Sequence, residues 1–94
     1  MNIDKIVLSG HAIERCQQRG IPLIILPYVV SYGKRVKSHT DYKSFLPKKI
    51  MANLQMKEPE LVSKYDKQLS STAVVWNKDE VITAFKINRR LNWS

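Results

Sequence analysis

At 94 residues and 10.9 kDa the chain is one small domain, and 44% hydrophobic against 26% charged residues excludes intrinsic disorder as its default. Sixteen Lys and Arg against eight Asp and Glu leave a formal charge of +8, an excess that favours an anionic partner such as nucleic acid, an acidic protein or an anionic surface. The single cysteine, Cys16, excludes an intrachain disulfide and fits a reducing, cytoplasmic setting, and the ten-residue apolar run Ile21 to Val30 is half the ~20 residues that cross a bilayer.

The first predicted element is a helix. Ser9 is a good N-cap and Gly20 stands where a helix end takes a left-handed residue. No secretion signal is expected before it, because Met1 to Gly10 lacks an unbroken apolar core and carries Asp4 and Lys5. At helical spacing Ile13 and Cys16 share one side, with Ala12 at its edge; His11, Arg15 and Arg19, at i, i+4 and i+8, share another.

A second helix is expected from Pro22 through the apolar stretch Leu23 to Val30, with Gly33 as its stop. Pro27 interrupts it, so the run is either kinked or a turn followed by a short helix starting at Pro27. Lys34 to His39 reads as extended, Thr40 and Asp41 as a turn, and Tyr42 to Phe45 as a returning strand. Pro47 opens a helix with Ile50, Met51 and Leu54 in phase, and Pro59 restarts it through Leu61, Val62, Tyr65 and Leu69, as a helical hairpin or one broken helix.

Thr72 to Trp76 is β-branched and aromatic, Asn77 to Asp79 is a polar turn, and Glu80 to Ile87 alternates, so a β-hairpin closes the fold. The alternation places Val81, Thr83, Phe85 and Ile87 on one face and Ile82, Ala84 and Lys86 on the other, which predicts a central strand. The residues 88–94 form a tail with Arg89, Arg90 and Trp93. The expected architecture is α+β: N-terminal helices packed on a small, mostly antiparallel sheet, with a central helical insertion over residues 46–69 of a single domain.

Two groups of residues could carry chemistry. Lys34, Arg35, Lys37 and Lys43, followed at the C-terminus by Lys86, Arg89 and Arg90, lie on strand segments and their flanks. On one sheet face they would line a groove for a phosphate backbone, with Tyr42, Phe45 or Trp93 available to stack on bases; otherwise they are a solvated surface. The His11, Arg15 and Arg19 stripe suits metal-free RNA cleavage. A histidine can move the 2′-hydroxyl or leaving-group proton, and guanidinium groups can stabilise the phosphorane. The same stripe is also what an exposed polar helix face looks like. Thr83 is a hydroxyl in an apolar strand, either satisfied by a neighbour or presented to a ligand. One cysteine and two histidines fall short of a structural metal site, and no cofactor is expected.

The stretch Gly10-His11-Ala12-Ile13-Glu14-Arg15 with Gln18-Arg19-Gly20-Ile21 resembles the H-A-x-x-R…R-G-I opening of a bacterial domain family. Val81-Ile82-Thr83-Ala84-Phe85 resembles that family's closing V-I-T-x-F/Y strand. The family is similar to the barnase–EndoU–colicin–RelE (BECR) superfamily of small metal-independent ribonucleases, many of them toxins. The resemblance spans about residues 9–46 and 71–87; the helical segment between them departs from it. It implies a cytoplasmic endoribonuclease acting on RNA, free or on the ribosome, and held by an antitoxin. Within it, His11 would be the acid/base, Arg15 and Arg19 would bind the scissile phosphate, and Thr83 would orient one of these groups. The alternatives are a non-catalytic nucleic-acid-binding module and an immunity-type domain that caps an acidic protein.

Overall fold

The computed structural model describes residues 6–87 and is α+β, with four α-helices packed on one face of a five-stranded, mostly antiparallel sheet. In chain order the elements are β1 (Val7–Leu8), α1 (Gly10–Arg19), a 3₁₀ turn (Leu23–Ile25), α2 (Leu26–Tyr32), β2 (Lys34–Ser38) and β3 (Asp41–Phe45). They continue with α3 (Lys48–Lys57), α4 (Pro59–Ser70), β4 (Thr72–Asn77) and β5 (Glu80–Lys86). The strand order is β1-β5-β4-β3-β2, with β1 parallel to β5 and every other pair antiparallel.

The helix boundaries follow from their punctuation. Ser9 Oγ accepts the Ala12 amide at 3.0 Å, and Gly20 ends α1 in the left-handed region at φ 65°, its N–H donating to the Cys16 carbonyl. Pro27 resolves the second element into a 3₁₀ turn and a short helix, because it is accommodated in the first turn of α2, where a missing amide costs no helical hydrogen bond. The 46–69 segment is a helical hairpin. Its Met51, Leu54, Val62 and Leu69 join Ala12, Cys16, Ile25, Leu26, Val74, Trp76 and Ala84 in one core on the helix side of the sheet.

Three features differ from expectation. The two-residue β1, not expected from the sequence, pairs along the outer side of β5, so β5 is an interior strand between β1 and β4, and β4 is the middle strand of the five. The β2–β3 turn is His39–Thr40, one residue earlier than expected, and Asp41 already pairs with Ser38. His39 and Lys78, the first residues of the two hairpin turns, are left-handed at φ 56° and 55° with no glycine to mark them.

The third difference is a bulge. Val75 opposes Thr83 but Trp76 opposes Val81, which leaves Ile82 as an extra residue in β5. The strict alternation from Val81 to Ile87 is thereby broken. Val81 turns to the helix side with Ala84, both fully buried, while Thr83 lies on the opposite face with Val75.

Candidate functional site

α1 lies along β5, so its exposed stripe borders the β1–β5 margin of the sheet. His11 and Arg15 stay together on the helix surface: Arg15 Nε donates to His11 Nε2 over a long 3.4 Å, and Arg15 Nη1 reaches Gln18 Oε1 at 3.4 Å. Arg19 has different work. Its Nη1 donates to the Ala84 carbonyl at 2.7 Å. Past Leu8, β1 no longer pairs with β5, and the outer carbonyls of β5 need other donors. The Ser9 hydroxyl supplies one to Ile82 at 3.3 Å and Arg19 supplies the next. Arg19, expected on the phosphate, thus seals a sheet edge.

Thr83 is not brought to this stripe. It shares a face with Val75, on the side of the sheet away from α1, and no hydrogen bond joins it to His11 or Arg15 among the described residues. The strand alternates its side chains across the sheet, so only one face of β5 can meet a helix lying on it.

The basic strand residues are also divided. Ser44 opposes the core residue Val74, which fixes the helix side of β3. Arg35 opposes Ser44 and Lys37 opposes Tyr42, so both project on the helix side, beyond the reach of the helices. Lys34 opposes Phe45 and Val36 opposes Lys43, which puts Lys34 and Lys43 on the other face. The expected one-faced groove is therefore a two-stranded basic ribbon, charged on both faces. Every residue of β2 is exposed. Lys86 lies on the last residue of β5 opposite Thr72, apart from this ribbon, and Arg89 and Arg90 lie outside the described residues.

Tyr42 does not stand free for stacking on a base. Its ring lies against Trp76, centroids 5.0 Å apart, and the Arg35 guanidinium covers both rings at 5.3 Å and 4.8 Å. Trp76 Nε1 donates to the Ser44 hydroxyl at 2.8 Å in the interior. From its sequence context Trp76 reads only as a strand former. The available signal is that a buried indole N–H needs an acceptor, and Ser44 alternates with Tyr42 and Leu46 on one face of its strand.

Between α1 on β5 and the outer strand β2 lie three strand spacings, about 14 Å. The His11–Arg15 pair and the basic ribbon are thus two separate surfaces. Among the described residues no group of three His, Cys, Asp or Glu side chains could hold a metal ion, and no helix is long and apolar enough to cross a membrane.

Cys16 sits on the buried side of α1 with no exposed surface. Burial raises its thiol pKa above the ordinary 9.0, against the opposing pull of the Arg19 guanidinium. A thiol whose folded pKa lies above its unfolded one contributes stability that is complete below the unfolded value and is lost as pH rises through the folded value. Urea titrations of wild type and Cys16→Ala should therefore differ by a constant amount up to about pH 8.5, with wild type losing ground as pH rises above it. Iodoacetamide at pH 8 should label Cys16 only in denaturant. Rapid labelling of the folded protein would contradict the burial of α1 against β5.

Comparison with protein-family models, with curated proteins and with solved structures finds no match to this chain.

Proposed function

We propose that the chain binds RNA through the β2–β3 ribbon. The observation that carries this reading is the composition and exposure of β2: Lys34, Arg35 and Lys37 within five consecutive residues, all exposed, on the margin of the sheet. A strand edge of this kind can lie along a phosphate backbone with cations to either side, and the chain's +8 charge favours the encounter. The test is fluorescence anisotropy with a labelled single-stranded RNA over a salt series. Each phosphate neutralised contributes about −0.7 to the slope of log K against log salt. Wild type should therefore show a slope of about −2 or steeper. The triple variant K34A/R35A/K37A should flatten it by about 2 and weaken binding at least about tenfold at low salt. An unchanged slope in a triple variant with wild-type circular dichroism would overturn the reading.

Metal-independent RNA cleavage, with the toxin–antitoxin pairing that accompanies it, is the second reading. What favours it is the exposed His11–Arg15 contact, an imidazole and a guanidinium on adjacent turns of a rigid helix. In this mechanism the His11 imidazole takes the 2′-hydroxyl proton as that oxygen attacks phosphorus, Arg15 neutralises the phosphorane, and the P–O5′ bond breaks with the 5′-oxygen protonated by the His11 imidazolium or by water. Cleavage in the presence of EDTA should fall about a hundredfold or more in His11→Ala and in Arg15→Ala, while Thr83→Val, altered on the other face, cleaves like wild type. Equal cleavage, or none, by all of these proteins would leave the chain as a binding module.

A further inference from the structure

The outer margin of β2 has a second property, independent of the RNA reading. The two-residue His39–Thr40 turn makes Ser38 and Asp41 the closing pair of the hairpin. In an antiparallel ladder, hydrogen-bonded and non-hydrogen-bonded pairs alternate. Lys34, Val36 and Ser38 therefore turn their backbone groups inward to β3. Arg35 and Lys37 turn theirs outward, where β2 has no strand neighbour among the described residues. The β2–β3 register runs without interruption from Lys34 to Ser38, and the sheet's one shift lies elsewhere, at Val75/Trp76. The edge thus carries no bulge that would keep another strand from pairing with it.

We infer that β2 accepts an extended acidic peptide segment as a sixth strand, with acid–apolar–acid residues opposite Lys37, Val36 and Arg35.

The side-chain pattern selects the occupant. Arg35 and Lys37 project on one face of β2, and Val36, one of the few exposed large apolar residues, on the other at 39% exposure. A sixth strand would place its own alternate side chains beside these. Carboxylates suit the positions opposite Arg35 and Lys37, and a β-branched residue suits the one opposite Val36. The Arg35 guanidinium leans inward over Tyr42 and Trp76, so a carboxylate on the sixth strand must draw it outward at the cost of those ring contacts. A second copy of the chain is the poorer occupant. Antiparallel pairing of β2 with itself about Val36 sets Arg35 against Lys37 twice, like charges directly opposite. The same two cations that guard the edge against self-association leave it open to an acidic strand. A peptide held here covers one edge of the ribbon and would exclude a nucleic acid from it.

The test uses the full chain and a blocked Thr-Glu-Val-Glu-Thr peptide at low salt. Binding should shift the Arg35 and Lys37 amide resonances and slow their hydrogen exchange, leaving Val36, already paired inward, little changed in exchange. Three comparisons separate pairing from charge. The peptide N-methylated at the amides facing β2 keeps its charge and loses its donors; it should bind at least about fivefold more weakly. The order-swapped Glu-Thr-Val-Thr-Glu peptide, which keeps both carboxylates but moves them off the positions opposite Arg35 and Lys37, should bind about two- to fivefold more weakly. Lys37→Ala should weaken binding about two- to fivefold, and Lys37→Pro, which also removes an outward N–H while sparing the β3 ladder, about fivefold further. Equal binding of the N-methylated peptide, or no change at the Arg35 and Lys37 amides of wild type, would overturn the inference even if the proline variant does not fold. So would wild-type dimerisation through β2 in the absence of peptide. RNA binding that flattens in K34A/R35A/K37A while the peptide fails would leave the RNA reading standing alone; a peptide that binds where RNA does not would do the reverse.

Discussion

Gly33→Ala is expected to destabilise the fold by about 3 kcal/mol, the upper end for forcing atoms into a packed site. A Cβ at Gly33 would lie 2.3 Å from the Val29 carbonyl oxygen and 2.7 Å from that of Phe45, with the Phe45 nitrogen at 3.1 Å. All three are backbone atoms, so no side chain can rotate away. Relief requires moving the end of α2 from β3, where the Gly33 N–H closes the helix on Val29 at 2.9 Å. The backbone angle is not at issue: φ is −72°, open to any residue. Gly20 is the opposite case. Its φ of 65° is left-handed, yet nothing lies within 4 Å of an added Cβ, so Gly20→Ala should cost about 1 kcal/mol. Gly10, with neither constraint, should tolerate alanine without loss. Urea denaturation of the three variants gives the ranking. If Gly33→Ala proves no worse than Gly20→Ala, α2 does not approach β3 so closely. Against a total of ~5–15 kcal/mol for a domain of this size, the Gly33 substitution alone removes a large fraction.

The same glycines show what was legible in the sequence. Ser9, Gly20, Pro27 and Gly33 announce helix ends locally, because caps and breakers act within one turn. They say that α2 stops at Gly33, but the reason, a passing strand twelve residues on, belongs to the tertiary fold. The C-terminal hairpin is legible from the β-branched run Thr72 to Trp76, whereas the Ile82 bulge is not. One extra residue leaves the local pattern apolar and still reverses which face Val81 and Thr83 take. β1 was out of reach for a related reason: two residues in parallel pairing carry no period.

The candidate site divides in the same way. Spacing alone put His11 and Arg15 side by side, and they are in contact. The position of α1 over β5 decided the rest, diverting Arg19 to the Ala84 carbonyl and separating the stripe from the ribbon. The division of Arg35 and Lys37 from Lys34 and Lys43 follows from a strand's two-residue period, and was readable once the hairpin register was known.

Trp76→Ala should cost about 4 kcal/mol, for the indole is 3% exposed and joins the central strand to the core. The more informative change is Trp76→Phe. It keeps an aromatic body against Tyr42 but removes the N–H that donates to Ser44 at 2.8 Å. Ser44 has no exposed surface, so its hydroxyl would lose a buried partner, at about 1–2 kcal/mol beyond the lost packing. With Ser44→Ala already in place that penalty has no group to fall on, and Trp76→Phe should then cost only the packing difference. A double-mutant cycle by urea denaturation should therefore return a coupling of about 1 kcal/mol or more. The Arg35 guanidinium, 4.8 Å from the Trp76 ring, gives the pair a second readout: Trp76→Phe should move the Arg35 side-chain resonances, and Ser44→Ala should move them less. Zero coupling together with an unmoved Arg35 would mean that the indole holds neither the interior of β3 nor the cation on the ribbon, and the ribbon's rigidity would then need another source.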